Sequence, residues 1–530
     1  MKSSHFVRAL LAGSALIMSS SAWAQEPEAQ PDQSDATADA AIAEAQGLDD
    51  AQAKIELLQA QVEALQESIA QIQAAQAKVT PVWKGTPQLE DKESGWSFKV
   101  RGRIQYDVGH VSNPDDAPNG SLLTRNLGFN SRARRIRLGG EGTIPGGFGY
   151  KCEMDFANSS VGFGDCIISY APAGKPFSVD IGNQETNNGL EQISSSRFSS
   201  FVERAAFDDA FLNTRRLGIN LGYVNGAGDF RIKGGLWTAH SIDSSLDNNG
   251  WIAATRAVYS PLMGGNQLHF GINYQHRKFQ DNANGAPASG SGQPSTGQLA
   301  RYRARPFTQL TDVRFVDTGN FAAKSDDIIG LEAAGIFKSL HIAAEGQYLK
   351  SNAYGAGDQV SLIDPEDVLD QFGGSQIVPD GNPSFWGGYI EAGYFLTGET
   401  RGYKNGTWDR TKVLKPFSKG GWGAFQVIGR VDYLDLDSRK LHEGCNNNFV
   451  VVNTCPASTN YTRGGKQLGL LAGLTWIPED YMRVLLNYSH SFIKGGPFAD
   501  EVDGVATSNP DAKDAKYGVD VVQARFQIDF

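Results

Sequence analysis

The chain reads as an all-β protein, a sixteen-stranded antiparallel transmembrane β-barrel with a short helix ahead of it, and three observations carry that reading. First, the C-terminal stretch alternates. Val522, Ala524, Phe526, Ile528 and Phe530 share one face, and Val521, Gln523, Arg525, Gln527 and Asp529 the other. Successive side chains of a strand point to opposite faces, so this strand is apolar on one side and wet on the other. That is the wall of a barrel between lipid and a polar lumen. Second, no apolar run approaches the ~20 residues that a membrane-spanning helix needs. Third, the strand-like stretches beyond Trp96 are joined by connections that settle into short and long in turn. A soluble β-sandwich has no reason for that rhythm.

Taken in order, residues 1–24 carry Lys2 and Arg8, then an apolar core from Ala9 to Met18, then Ala22-Trp23-Ala24. A charged start, a short apolar segment and a small-x-small site make a secretory signal peptide, cleaved near Ala24. Residues 25–47 are Ala, Gln, Glu, Asp and Pro with little else apolar, an acidic linker that cannot bury enough surface to order. Within 48–79, Ile55, Leu58, Val62, Leu65, Ile69 and Ile72 recur at alternating threes and fours. The spacing predicts a short coiled coil, with the oligomer state left open by the mixed a and d residues.

The net charge of −11 is concentrated in that tail, since residues 25–50 hold eight acids and no base. No basic domain marks a nucleic-acid binder. Four cysteines form two local pairs. Cys445 and Cys455 bracket a polar-ended loop, and Cys152 and Cys166 sit on neighbouring strands. In an oxidising envelope compartment both pairs are disulfide candidates.

The barrel occupies 95–530, with strands that include 95–108, 132–143, 147–157, 327–337, 340–350 and 517–530. Tight turns such as Pro145-Gly146-Gly147, Lys338-Ser339 and Pro478-Glu479 alternate with long segments near 185–213, 279–326, 351–383, 434–464 and 493–516. Short turns belong on the periplasmic side and long loops outside, which leaves 397–420 as a long periplasmic link. Segment 185–213 is too apolar to hang in water, with Leu190, Ile193, Phe198, Phe201, Val202 and Phe207. It is expected to fold into the barrel and narrow it, bringing Arg197 and Arg204 to the pathway; capping a subunit interface is the alternative.

A charge on the lipid face costs ~2–4 kcal/mol near the midplane, so apolar parity assigns the lumen face. It sends Lys99, Arg101, Arg103, Arg135, Arg137, Lys151, Arg216, Arg231 and Lys233 inward, against Asp107, Glu141, Glu153, Asp155 and Asp180. A basic lumen attracts and partly dehydrates anions, and the planar guanidinium fork suits oxyanions. A wide polar pore with arginines paired to lumen acids is the competing reading. The candidate pathway residues are Arg101, Arg103, Arg134, Arg135, Arg137, Arg197, Arg204, Arg216, Arg231 and Lys233.

The run Arg134-Arg135-Ile136-Arg137-Leu138-Gly139-Gly140-Glu141-Gly142 resembles a signature of the phosphate-selective porin O and P family. So do Ser195-Ser196-Arg197-Phe198 through Arg204, Arg215-Arg216-Leu217-Gly218, Lys415-Pro416-Phe417, Gly420-Gly421-Trp422-Gly423, Thr475-Trp476-Ile477-Pro478 and Ala524-Arg525-Phe526-Gln527-Ile528-Asp529-Phe530. The resemblance implies a homotrimeric sixteen-stranded outer-membrane porin with an inward-folded third loop. It further implies an arginine-lined phosphate route, onto which Arg134, Arg135 and Arg197 carry over, and a terminal Phe530 read by the barrel-assembly machinery. By alternation Arg134 faces outward, which agrees with the carry-over only at the extracellular rim.

The leading expectation is a passive porin for small hydrophilic solutes, biased to anions such as phosphate or pyrophosphate, and needing no cofactor. The alternatives are a general or carboxylate and sugar porin, and a structural barrel tethered to the cell wall through the coiled coil. No Ser/His/Asp order, phosphate-binding glycine loop or metal-ligand cluster points to an enzyme.

Overall fold

The computed structural model describes residues 52–71 and most of 82–530, leaving out 84, 92, 115–125, 158–160, 212–213, 240–241, 243–249, 280–298, 320, 354–378, 380, 443–463 and 503–514. The signal peptide and acidic linker expected at the start, and Cys445 and Cys455, lie outside the described residues.

Residues 52–71 form one helix, α1, whose seam residues Ile55, Leu58, Val62, Leu65 and Ile69 are all more than half exposed. It belongs to a unit separate from Lys78–Phe530.

That second unit is a closed antiparallel barrel of sixteen long strands. They are β1 (Trp96–Val111), β2 (Gly128–Ile144), β3 (Phe148–Asp155), β4 (Gly162–Tyr170), β5 (Phe177–Glu185), β6 (Arg215–Val224), β7 (Phe230–Thr238) and β8 (Trp251–Tyr259). The second half is β9 (Asn266–Lys278), β10 (Phe321–Phe337), β11 (Leu340–Ala353), β12 (Ser384–Phe395), β13 (Ala424–Asp435), β14 (Lys466–Glu479), β15 (Met482–Lys494) and β16 (Lys516–Asp529). Each pairs with its sequence neighbour, and β16 closes on β1 in the register Arg525↔Asp107 and Gln527↔Gln105. Closure removes every unpaired edge, the condition for strands to cross lipid.

The alternation is realised as expected. Tyr106, Val522, Phe526 and Ile528 are about half exposed, while Gln105, Arg525, Gln527 and Asp529 are at most 2% exposed. At the seam Phe530 exchanges two backbone hydrogen bonds with Gly102, and its ring lies where a Cβ on Gly102 would be. Cys152 and Cys166 stand opposite each other across β3 and β4 and are disulfide-bonded.

The lumen is not empty. The apolar core lies inside the barrel, built from Leu190, Phe201 and Phe207 of the β5–β6 loop, from Tyr302, Phe307 and Phe315 of the β9–β10 loop, and from wall residues such as Ile328, Phe385 and Leu434. The 397–420 link turns inward from the end that carries the short turns. It forms a small hairpin, Gly402–Lys404 with Thr407–Asp409, and buries Trp408.

Candidate functional site

Alternation in β1 and β2 sets Arg101, Arg103, Arg135 and Arg137 on the lumen face of adjacent strands, with Arg103 directly opposite Arg137. Like charges facing each other across a ladder destabilise it unless they are compensated. Arg101 donates to Glu141 at 2.6 Å. Arg137 is held at 2.8 Å by both Glu153 and Asp155 of β3. Arg103 reaches Glu153 only at 3.9 Å, donates to the Ser195 and Ser196 hydroxyls, and keeps a buried Nε without a partner. Arg135, 6% exposed, has Gln105 Oε1 as its acceptor.

Arg134 corrects the parity rule. The β1–β2 register shifts between Gln105 and Tyr106: Gln105 faces Arg135 and Tyr106 faces Ala133, so Arg134 is the extra residue of a β-bulge. A bulge opposes two residues to one and re-aims a side chain. Arg134 therefore turns into the lumen next to Arg135 and pairs with Glu203 at 2.8 Å.

The β5–β6 loop forms the opposite wall. Its short helices α2 (Leu190–Ile193) and α3 (Ala206–Ala210) carry buried apolar side chains, and its polar groups are fastened to the far strands. The Glu191 amide donates to Glu345 (3.0 Å), Ser200 Oγ to Glu391 (2.6 Å) and the Val202 amide to Asn487 (2.7 Å). Arg430 bridges Glu191 and Glu391, each at 2.6 Å. The loop is thus an interior element, as its apolar content predicted, and not the cap of an outer interface. From below, the hairpin supports it: the Trp408 amide donates to Ser194 Oγ, and Arg401 donates to the Phe198 carbonyl. Arg305 of the β9–β10 loop pairs with Asp209 at 3.1 Å.

Between this filling and the β1–β4 wall two adjoining cavities remain. One, about 170 Å³, is lined by Arg101, Arg103, Arg135, Arg137, Lys151, Arg197, Arg204 and Arg215, with Glu153, Asp165, Glu185 and the serines at 194–196. The second, about 200 Å³, shares Glu185, Gln192, Arg204 and Arg215 with it and adds Arg134, Glu203, Asp208, Asp209 and Arg305. Burial, with Arg101 beside it, lowers the pKa of the Arg197 guanidinium, a sign of crowded positive charge.

Of the ten sequence candidates, Arg101, Arg103, Arg135, Arg137, Arg197 and Arg204 line the first cavity and Arg134 lines the second. Arg216, Arg231 and Lys233 line neither. Arg216 bonds the Arg215 carbonyl at the end of β6, and Lys233 pairs with Asp180 at 3.1 Å on another stretch of wall. The residues missed are Arg215 and its acids. Alternation selects Arg216, yet Arg215 at the strand end bends inward to Glu185 (2.9 Å) and Asp165 (2.5 Å). Asp165 itself sits where β3 and β4 slip register, a second irregularity that no periodicity announces. Lys151, inward by alternation, lines the first cavity as well.

The family model for phosphate-selective porin O and P matches residues 98–530. An uncharacterised protein of Caulobacter vibrioides is 33% identical over 465 residues, covering 86% of this chain and 78% of that protein. Porin O of Pseudomonas aeruginosa is 24% identical over 426 residues, covering 76% of this chain and 85% of its own length. Among solved structures, the outer membrane channel DcaP of Acinetobacter baumannii aligns with a TM-score of 0.44 and 12% identity, covering 83% of this chain and 99% of its own. The anion-selective porin from Comamonas acidovorans aligns with 0.42 and 14%, covering 82% and 100%. With a family match across the whole barrel, the chain belongs to the phosphate-selective porin O and P family and is a bacterial outer-membrane porin channel rather than an enzyme.

Proposed function

We propose that this porin is a passive channel biased to small oxyanions such as phosphate or pyrophosphate. One observation carries the reading: eight basic side chains against three acidic ones surround the 170 Å³ cavity. Arg135 and Arg204 have no carboxylate partner among the described residues, and Arg103 has only a distant one. Cations held this close and this dry are stabilised by an anion that shares them, and guanidinium forks match the oxygens of phosphate. The name of the family points the same way.

A general porin with a transverse field is the second reading, favoured by the acids on Arg101, Arg137, Lys151 and Arg215. Reversal potential in a planar bilayer across a KCl gradient, with and without phosphate, separates the two. The anion reading expects a potential on the chloride side and a current reduced by phosphate; cation preference overturns it.

The assembly we infer is a homotrimer in outer-membrane lipid. The apolar seam of α1, exposed along its length, is the surface that parallel copies would bury. Crosslinking of the purified protein tests this, and a monomer alone in mild detergent refutes it.

A further inference from the structure

We propose that the 200 Å³ cavity binds small zwitterions, solutes carrying an oxyanion and an ammonium group a few atoms apart, with Asp208 receiving the ammonium and Arg204 and Arg215 the oxyanion. The inference rests on the reading of the adjoining passage as an anion route and names a substrate class for it.

Asp208 of α3 lines this cavity, is 7% exposed, and has both carboxylate oxygens buried without a hydrogen-bond partner. The other acids of the cavity are matched. Glu203 has Arg134, Asp209 has Arg305, and Glu185 has Arg215 and the Gln192 amide. A buried carboxylate without a donor costs free energy, so its conformation calls for a positive partner. Among the described residues no cation donates to it. Arg204 spends its Nε and Nη2 on the carbonyls of Glu191, Gln192 and Ser194, and Arg430 is held by Glu191 and Glu391. Burial, and then Glu191, raise the Asp208 carboxyl well above the usual carboxylate range against the pull of Arg204 and Arg430, and an ammonium seated beside it would draw it back to the carboxylate form.

A lone cation meets a repulsive wall here, because Arg204 and Arg215 also line the basic passage. An ammonium attached to an oxyanion does not: the anion engages the two guanidiniums while the ammonium reaches Asp208. At ~30 Å³ per water, the cavity has room for a solute of roughly seven heavy atoms.

The test compares 2-aminoethylphosphonate, propylphosphonate and inorganic phosphate as blockers of the chloride current through the native channel in a planar bilayer at neutral pH. The amino compound carries less net negative charge than its isostere, so a site without Asp208 would bind it more weakly. A charge-assisted contact predicts instead about a tenfold lower half-blocking concentration than propylphosphonate. In Asp208→Asn that advantage falls to twofold or less. Propylphosphonate matching or beating the amino compound on the native channel overturns the inference, and this comparison needs no variant to fold. If phosphate blocks while the amino group confers nothing, the anion route stands and the zwitterion site fails; if none of the three blocks, both fail.

Discussion

Arg525 shows how much a single side chain can change meaning between sequence and structure. From the sequence it is a lumen charge whose partner is open, Asp529 or a passing anion. In the fold it is 1% exposed, paired at 2.6 Å to both oxygens of Asp107 and at 2.8 Å to Glu203, and it donates to the Val202 carbonyl. It therefore rivets the inward loop to the β16–β1 seam. Removing one member of a buried ion pair leaves the others uncompensated, so Arg525→Ala should destabilise the barrel by about 3–5 kcal/mol, read from thermal or denaturant unfolding in detergent. Glu203 adds a pH dependence. Burial alone would raise its pKa, but Arg134 and then Arg525 hold it well below its ordinary value of 4.5. A carboxylate depressed in the fold contributes stability that is complete above the unfolded value and lost as pH falls. The native channel should lose thermal stability progressively below about pH 4.5, and Glu203→Gln should flatten that loss; an identical acid profile in the variant would refute the role.

At the scale of elements, the sixteen strands were legible because lipid enforces alternation residue by residue. Their outer ends were not. The 327–337 stretch extends to Phe321–Phe337 and 340–350 to Leu340–Ala353, since strands that rise past the lipid no longer need an apolar face. Bulges escaped for a related reason: one extra residue leaves no periodic trace, so Arg134 read as outward when β2 in fact turns it inward. The inward loop was legible as an element from its apolar content, although its contacts were not. Deleting 188–206 should raise single-channel conductance several-fold, because that segment supplies one wall of the passage; an unchanged conductance would mean that ions travel elsewhere. At the seam, Gly102→Val should slow assembly or lower the folded yield, because the Phe530 ring occupies the space that a side chain would take. Heat-modifiable migration on a gel reads that outcome.

For the whole molecule, the β5–β6 and β9–β10 loops and the inward hairpin fill much of the lumen, and arginines of β1 and β2 line the cavities that remain beside them. The basic side chains around the first cavity are thus gathered on one wall, although the chain as a whole carries −11. Arg103→Ala with Arg135→Ala should move the reversal potential toward zero, because a basic constriction sets permeant-ion preference. The same pair made in Arg231 and Lys233, which lie outside both cavities, should leave it close to the native value. Alternation, turn spacing and the apolar loop were readable in sequence because each is a local demand, imposed by lipid or water on neighbouring residues. Which guanidinium is free and which is locked was decided in three dimensions. Arg525 meets Asp107, and Arg430 meets Glu191, across hundreds of residues. An ion pair at that separation is settled only when closure of the barrel and folding of the loop bring both partners out of water.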